Sequence, residues 1–420
     1  MESGPNHPFV VLRNSQYSLL FVGTTLAMLA FGMMQVAQSV VAFELTGKNG
    51  SVGFVLLGQG VAMLLLSPLG GTLSDRISKK KLLTSAQFVI GLMFGLIAFL
   101  IGTGTITIPI LAAASLVLGC MYSMMGPTRQ AWIGDLLSGP DLAKGVALQQ
   151  LSMNTTRIVG PLIAGVLVAW SFSGTAGTYT AMAFLFGAVV LTLSRMDASP
   201  PKARANPTSV RTDLSEGFSY IWNEKDVRLL AFVFVGVVLA GFSYQTIMPG
   251  YLENTLGHPA SELGILYGAI AVGGIVVTLA LAANRPKNPA ALMLFFGGAL
   301  AGALALLAIA PSFWIALAVG ALVGASSSGF QMLNNVNLME RTDPLYFGRV
   351  MSVSMMAFGL NSMVSYPVGL FADQVGERGA LVALAAATAS VVMLGMVALR
   401  SRTREIARTM PEPSFGTPGS

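Results

Sequence analysis

Twelve runs of mostly apolar residues, most of them 20 or more long, are separated by short polar segments, and this spacing constrains the chain more than any other feature. They cover residues 17–43, 52–73, 82–103, 106–127, 143–170, 175–193, 227–251, 261–283, 290–310, 312–337, 347–372 and 377–399. A helix needs about 20 such residues to cross the hydrocarbon core of a bilayer. Barrel strands would instead alternate over about ten residues, and these runs are too long and too uniformly apolar for that. Only 10% of the residues are charged, against roughly 25% in an average soluble domain, so most of the surface must face lipid. The expected fold is all-α and integral to the membrane, with twelve transmembrane helices.

The basic residues orient the spans. Of the 24 Lys and Arg residues, 21 fall in the segments that share a side with the N-terminus, including Lys79, Lys80 and Lys81, Lys202 to Arg228, and Arg400 to Arg408. Lys48 and Arg378 fall on the other side, and Arg157 lies within a span. Positive charge accumulates in cytoplasmic loops, so both termini are expected inside, with the protein in a bacterial inner membrane. The net charge of +6 is spread over short loops and forms no nucleic-acid face. Cys120 is the single cysteine and excludes an intrachain disulfide. The first apolar run is too long for the core of a cleavable signal peptide.

The longest polar stretch, 194–226, divides the chain into bundles at 1–193 and 227–399, with a tail at 400–420. Its first part carries three prolines between Ala198 and Pro207 and reads as a linker. Its second, Asp213 to Trp222, reads as an amphipathic helix on the cytoplasmic surface, and the tail from Pro411 has a disordered composition. The halves echo each other: 58–83 aligns with 268–293, and Pro161 matches Pro367 in the fifth and eleventh spans. Duplicated transporters bind substrate between such repeats near the midplane.

Gly71-Thr-Leu-Ser-Asp75-Arg76-Ile-Ser-Lys79-Lys80 lies between the second and third spans and resembles the cytoplasmic signature of the major facilitator superfamily, with Ser78 in place of a glycine and lysines in place of arginines. Gly160-Pro161-Leu-Ile-Ala-Gly165 is similar to the Gly-Pro motif of that family's antiporters. Glu44-Leu-Thr-Gly47, Pro127-Thr-Arg-Gln-Ala131 and Asp213-Leu-Ser-Glu-Gly217 resemble the exporter branch that includes macrolide-efflux and enterobactin-export proteins. The resemblance implies two pseudo-symmetric six-helix bundles, alternating access and export of an organic solute against protons, carried out by a monomer. The fourth span lacks the arginine often found in the family's proton antiporters.

Asp75 falls at the C-terminal end of a helix, where the dipole disfavours an anion. With Arg76, Lys79, Lys80 and Arg129 it is expected to form a conformational latch at the inner end that links the two halves, Asp75 pairing with Arg129 or with the N-terminus of span eleven near Gly348; the alternative is that these charges only set topology. Arg157 is the deepest charge, on a helical stripe with Gln150, Asn154 and Pro161. At that depth an arginine costs at least ~2.5 kcal/mol unless it faces protein or water. It is expected to line a substrate cavity, or else to satisfy carbonyls freed by Pro161. Gln35, Gln38, Tyr122, Tyr244, Gln331, Asn335, Phe358 and Asn361 are the other candidates for the cavity wall, although uncharged polar groups also hold helices together. Flexible methionines near the same faces suit an adaptable surface. This lining fits an amphipathic small molecule, anionic or neutral. Glu44, Glu253 and Asp373, near the outer ends, are the acidic candidates for proton uptake.

An ATP-driven pump would need a phosphate-binding Gly-Lys-Ser/Thr loop, which is absent from the sequence. A serine hydrolase would need a base beside its nucleophile; His7 and His258 lie outside the spans, so Ser326-Ser327-Ser328 has none. No enzyme, metal or cofactor is expected. The surviving alternative is a lipid or lysophospholipid transporter on the same scaffold.

Overall fold

The computed structural model describes residues 8–170, 174–197, 210–284, 286–343 and 346–409. Among these, spans one to six are Ser15–Glu44, Asn49–Arg76, Lys79–Gly102, Ile108–Leu136, Gly139–Ala169 and Gly174–Ser194. The linker helix Val210–Asn223 follows, then span seven from Lys225, span eight Leu263–Ala283, span nine Pro289–Ala308 and span ten Phe313–Arg341. Spans eleven and twelve form one helical run, Phe347–Thr409, broken only at Gly376. Its apolar stretch Met356–Leu399 has 44 residues. At 1.5 Å per residue that is about 66 Å, roughly twice the hydrocarbon thickness, so it supplies two crossings. Gly376 sits at φ +79°, a conformation costly for any residue with a Cβ. With this run counted as two, the eleven described helices long and apolar enough to cross a membrane give twelve spans.

Span seven departs from the expected continuous helix over 227–251. Its α-helix stops at Gly241, and a 3-10 turn at Ser243–Thr246, a single turn at Met248–Gly250 and a π-turn at Tyr251–Thr255 follow. Pro249 has no N–H for the helical ladder, and the Ser243 hydroxyl donates to the Leu239 carbonyl at 2.6 Å. Such back-bonding bends helices.

Within the first half, span two packs along span four, span three against span six and span one against span five. Asn14 caps span one by accepting from the N–H groups of Gln16 and Tyr17. Within the second half, span eight packs on span ten, and spans nine and seven pack on the Phe347–Thr409 run. The halves meet through span two against span eleven and span five against span eight. At the second contact a Cβ on Gly264 would lie 2.0 Å from the Gly165 Cα, so only glycine permits this approach. Small residues let membrane helices pack backbone to backbone in this way.

Candidate functional site

The site is built around a helix with a missing hydrogen bond. Pro161 sits inside span five and has no N–H for the carbonyl one turn earlier, that of Arg157. The Arg157 side chain is exposed, and its Nη1 donates to Gln331 Oε1 of span ten at 3.0 Å. The guanidinium therefore reaches from the first half to the second at mid-span. Gln150, on the same helical stripe, is exposed, whereas the side chain of Asn154 lies outside the described residues.

Gln331 and Asn335 are half-buried on span ten. Their neighbour Phe330 turns into the second half and stacks on Phe234, with centroids 6.1 Å apart. Phe358 of span eleven packs edge-on against Phe234 and Phe242 at 6.0 and 6.2 Å. Asn361 Oδ1 lies 2.9 Å from the Ser243 hydroxyl and shares its single proton with the Leu239 carbonyl, tying span eleven to the broken part of span seven. Tyr244 is buried in that broken segment, and Tyr267 donates to the adjacent Gln245 carbonyl at 3.5 Å.

In the first half, Gln35 is half-buried, and Gln38 is buried and donates to Ser115 of span four at 2.9 Å. Gln38 is thus engaged in holding two helices together. Tyr122 packs edge-on to Phe31 at 4.6 Å, and its hydroxyl is buried without a hydrogen bond. An unpaired buried hydroxyl costs about 1–3 kcal/mol, so it is a polar group available to a ligand or a water.

At the end bearing the linker, the side chains of Asp75 and Arg76 lie outside the described residues. The other signature positions serve the first half itself. Lys79 is buried and pairs with Asp135 of span four at 2.8 Å. Lys80 donates to the carbonyls of Ser194 and Met196 at the end of span six, where a cation complements the helix dipole. Arg129 is buried, and its Nη2 has no hydrogen-bond partner.

The opposite end is closed by carboxylates. Asp373 accepts from the backbone N–H groups of Asn49 and Gly50 at 2.8 and 2.9 Å, so span eleven caps the first turn of span two. Glu377 is 8% exposed and accepts from the side-chain amides of Asn49 and Asn254 at 3.0 and 2.7 Å. Glu44 and Glu253 are exposed and lie within electrostatic reach of one another. Asp135 and Glu377 were not singled out by sequence; each falls near the end of a span, where an acidic residue reads as an ordinary loop charge. Among the described residues no group of three or more His, Cys, Asp or Glu side chains could hold a metal ion.

Twelve spans in two packed bundles, meeting around a mid-span arginine, define a polytopic membrane transporter. The model of the Major Facilitator Superfamily matches residues 20–366, and the chain belongs to that family. It is 26% identical over 344 residues to the staphyloferrin A transporter of Staphylococcus aureus, covering 80% of this chain and 84% of that one. It is 23% identical over 410 residues to the multidrug efflux pump Tap of Mycobacterium tuberculosis, covering 93% and 94%. The enterobactin exporter EntS of Escherichia coli is 24% identical over 345 residues, covering 80% and 79%. Among solved structures, the nucleoside transporter NupG superposes with a TM-score of 0.74 at 14% identity, covering 92% of this chain and 99% of that one, which shows a shared fold.

Proposed function

We propose that this chain exports an amphipathic organic solute bearing an anionic group, in exchange for protons, from the cytoplasm of a bacterium. The observation that carries this reading is the Arg157 guanidinium, exposed at mid-span and bonded across the halves to a neutral Gln331. A charge at that depth is retained where it faces a pathway, and the planar fork matches a carboxylate or phenolate better than an ammonium does. The relatives named for staphyloferrin A, enterobactin and multiple drugs support an exported organic solute. The bundles 1–193 and 227–399 act as the two rocking bodies, with 194–226 joining them and 400–420 as a tail. The basic-residue distribution supports a cytoplasmic location for both termini. On that orientation the Asn49 end is the sealed outer end, and the exposed Arg157 and Gln150 side chains face a cavity reached from inside.

The site works by exchange of partners. An incoming anion displaces Gln331 from Arg157, which couples occupancy to a bond between the halves. Arg157→Met should abolish efflux of anionic solutes in everted vesicles while sparing neutral ones. Arg157→Lys should weaken anion recognition by roughly tenfold, about 1.4 kcal/mol, as the second N–H of the fork is lost. Equal transport of anionic solutes by Arg157→Met and the parent would remove this reading. Efflux confined to neutral lysophospholipid in both would put a lipid transporter in its place. For orientation, cysteines at Lys48 and Thr103, both exposed, should react with an impermeant thiol reagent on intact cells in a Cys120→Ala background.

A further inference from the structure

Glu377 is a buried carboxylate that the proposed transport site does not use. Its Oε1 takes the side-chain amides of Asn49 and Asn254, and its Oε2 takes the Thr255 hydroxyl at 3.4 Å. Three segments, the start of span two, the π-turn of span seven and the start of span twelve, thus converge on one carboxylate. One turn earlier, across the break at Gly376, both oxygens of Asp373 are occupied by the first N–H groups of span two. Three of these five bonds could not form in a wider opening, because Asn49 and Gly50 belong to the first half and Asp373 and Glu377 to the second.

The Asn49 side chain carries a second observation. It is 1% exposed, its amide nitrogen is spent on Glu377, and its Oδ1 is buried with no donor. Oδ1 and Glu377 Oε1 crowd the same spot over Gly250: a Cβ built there would meet them at 2.4 and 2.8 Å. A buried acceptor beside a buried carboxylate lacks one thing, a proton between them. A proton on Glu377 could fill that place only if the amide turned over, which would leave the Asn49 nitrogen where no acceptor stands, so the arrangement fits the carboxylate and not the neutral acid.

We propose that Glu377 and Asp373 form the proton-operated clasp of the outer end. As carboxylates they hold span two through charge-assisted hydrogen bonds and face its N-terminal dipole. Each takes a proton from the outer medium and becomes a neutral acid, and bonds about twice as strong as neutral ones become ordinary. The seal then loosens, and the outward-open state, in which solute is released and protons enter, gains population. The surrounding charges are Glu44 on span one and Glu253 on the span seven turn, Lys48 in the loop before Asn49, Arg378, which donates to the Ala310 carbonyl, and the His258–Glu262 pair. Glu44 and Glu253 are exposed and join neither set of clasp bonds.

The proposal rests on the reading of the chain as a proton-coupled exporter, and its test separates the two. Ser362 lies on the contact between spans two and eleven, below the clasp, its Cβ 2.6 Å from where a Cβ on Gly60 would stand. Ser362→Cys and, separately, the exposed control Thr103→Cys are introduced into Cys120→Ala and labelled from outside with an impermeant thiol reagent. The ratio of the two rates cancels the pH dependence of the reagent. In the carboxylate parent this ratio should rise roughly tenfold in acid medium, as a minor open state of at most about 10% becomes dominant. In Asp373→Asn/Glu377→Gln it should be high at neutral pH and flat. A ratio that ignores pH in the parent, an unchanged acid response in the double variant, or a double variant that labels like the parent at neutral pH overturns the clasp. The parent's response alone decides if the double variant fails to reach the membrane. A working clasp without solute efflux would leave the clasp standing and sink the exporter reading.

Discussion

The two ends of the molecule use their charges differently. At the Asn49 end, Asp373 and Glu377 reach from the second half to the first, and Gly165 meets Gly264 backbone to backbone. At the linker end, three charge contacts stay within one half. Lys79 pairs with Asp135, Lys80 caps span six, and Arg341 pairs with Asp226 at 3.4 Å. The linker helix packs mainly on the second half there, and touches span two of the first as well: Tyr220 stacks on Tyr346 at 4.6 Å and accepts from the Asp343 N–H, and Ile221 packs among Val227, Leu338 and Val350. Charges that bridge the bodies set the balance between states. Charges that brace one body set its stability and leave the balance alone.

The largest expected effect tests the bracing side. Lys79 and Asp135 form a pair whose side chains are 5% and 22% exposed. Lys79→Met removes the buried cation that faces Asp135, and breaking a buried pair costs up to about 3–5 kcal/mol. Thermal unfolding in detergent should fall accordingly, and Asp135→Leu added to Lys79→Met should restore most of it. The Ser362 labelling ratio should stay at the parent value throughout. A shift in that ratio would mean that Lys79 also bridges the halves and would erase the contrast.

Gly264→Ala addresses the other end and should cost less. The added methyl would stand 2.0 Å from a backbone atom, so spans five and eight must separate. Overpacking of this kind costs about 1–3 kcal/mol, borne here only by the state closed at the Asn49 end. Opening relieves the clash, so the melting temperature should hardly move while Ser362 labelling rises. A drop in melting temperature without a rise in labelling would show that the Gly165–Gly264 contact braces the fold and does not gate it.

Much of the fold was legible because lipid imposes one rule along the whole sequence: long apolar runs must be helices. Even the separation of spans eleven and twelve could be read, although a single glycine rather than a loop divides them. The break in span seven was harder. Pro249-Gly250 and Ser243 are written there, but the run is apolar enough to pass as one span. Arg157 stood out by its depth, whereas the partner its guanidinium meets did not, since Gln331 is one of several polar residues on span ten. Glu377 was missed for a physical reason. Its partner Asn49 is 328 positions away, and nothing local distinguishes a carboxylate that grips a distant helix from one that faces water. Asp75 and Arg76 were the plainest motif, and their side chains lie outside the described residues.

The smallest effect expected is at Arg341. Its guanidinium and the Asp226 carboxylate are 33% and 46% exposed and 3.4 Å apart, a geometry in which solvent and salt screen most of the attraction. Exposed pairs contribute about 0.2–1 kcal/mol, so Arg341→Gln should lower thermal stability by no more than that, and less in high salt. Arg341 sits in the last turn of span ten, where a cation favours the helix C-terminus, and that term is also modest. The linker helix has firmer anchors in the Tyr220–Tyr346 stack and the Ile221 cluster, which the substitution leaves in place. Ser362 labelling should therefore be unchanged. A labelling ratio that moved with Arg341→Gln would mean that this charge reaches the first half in some state of the cycle. The linker end would then be a second bridge, and the division between bracing and bridging ends would fail there.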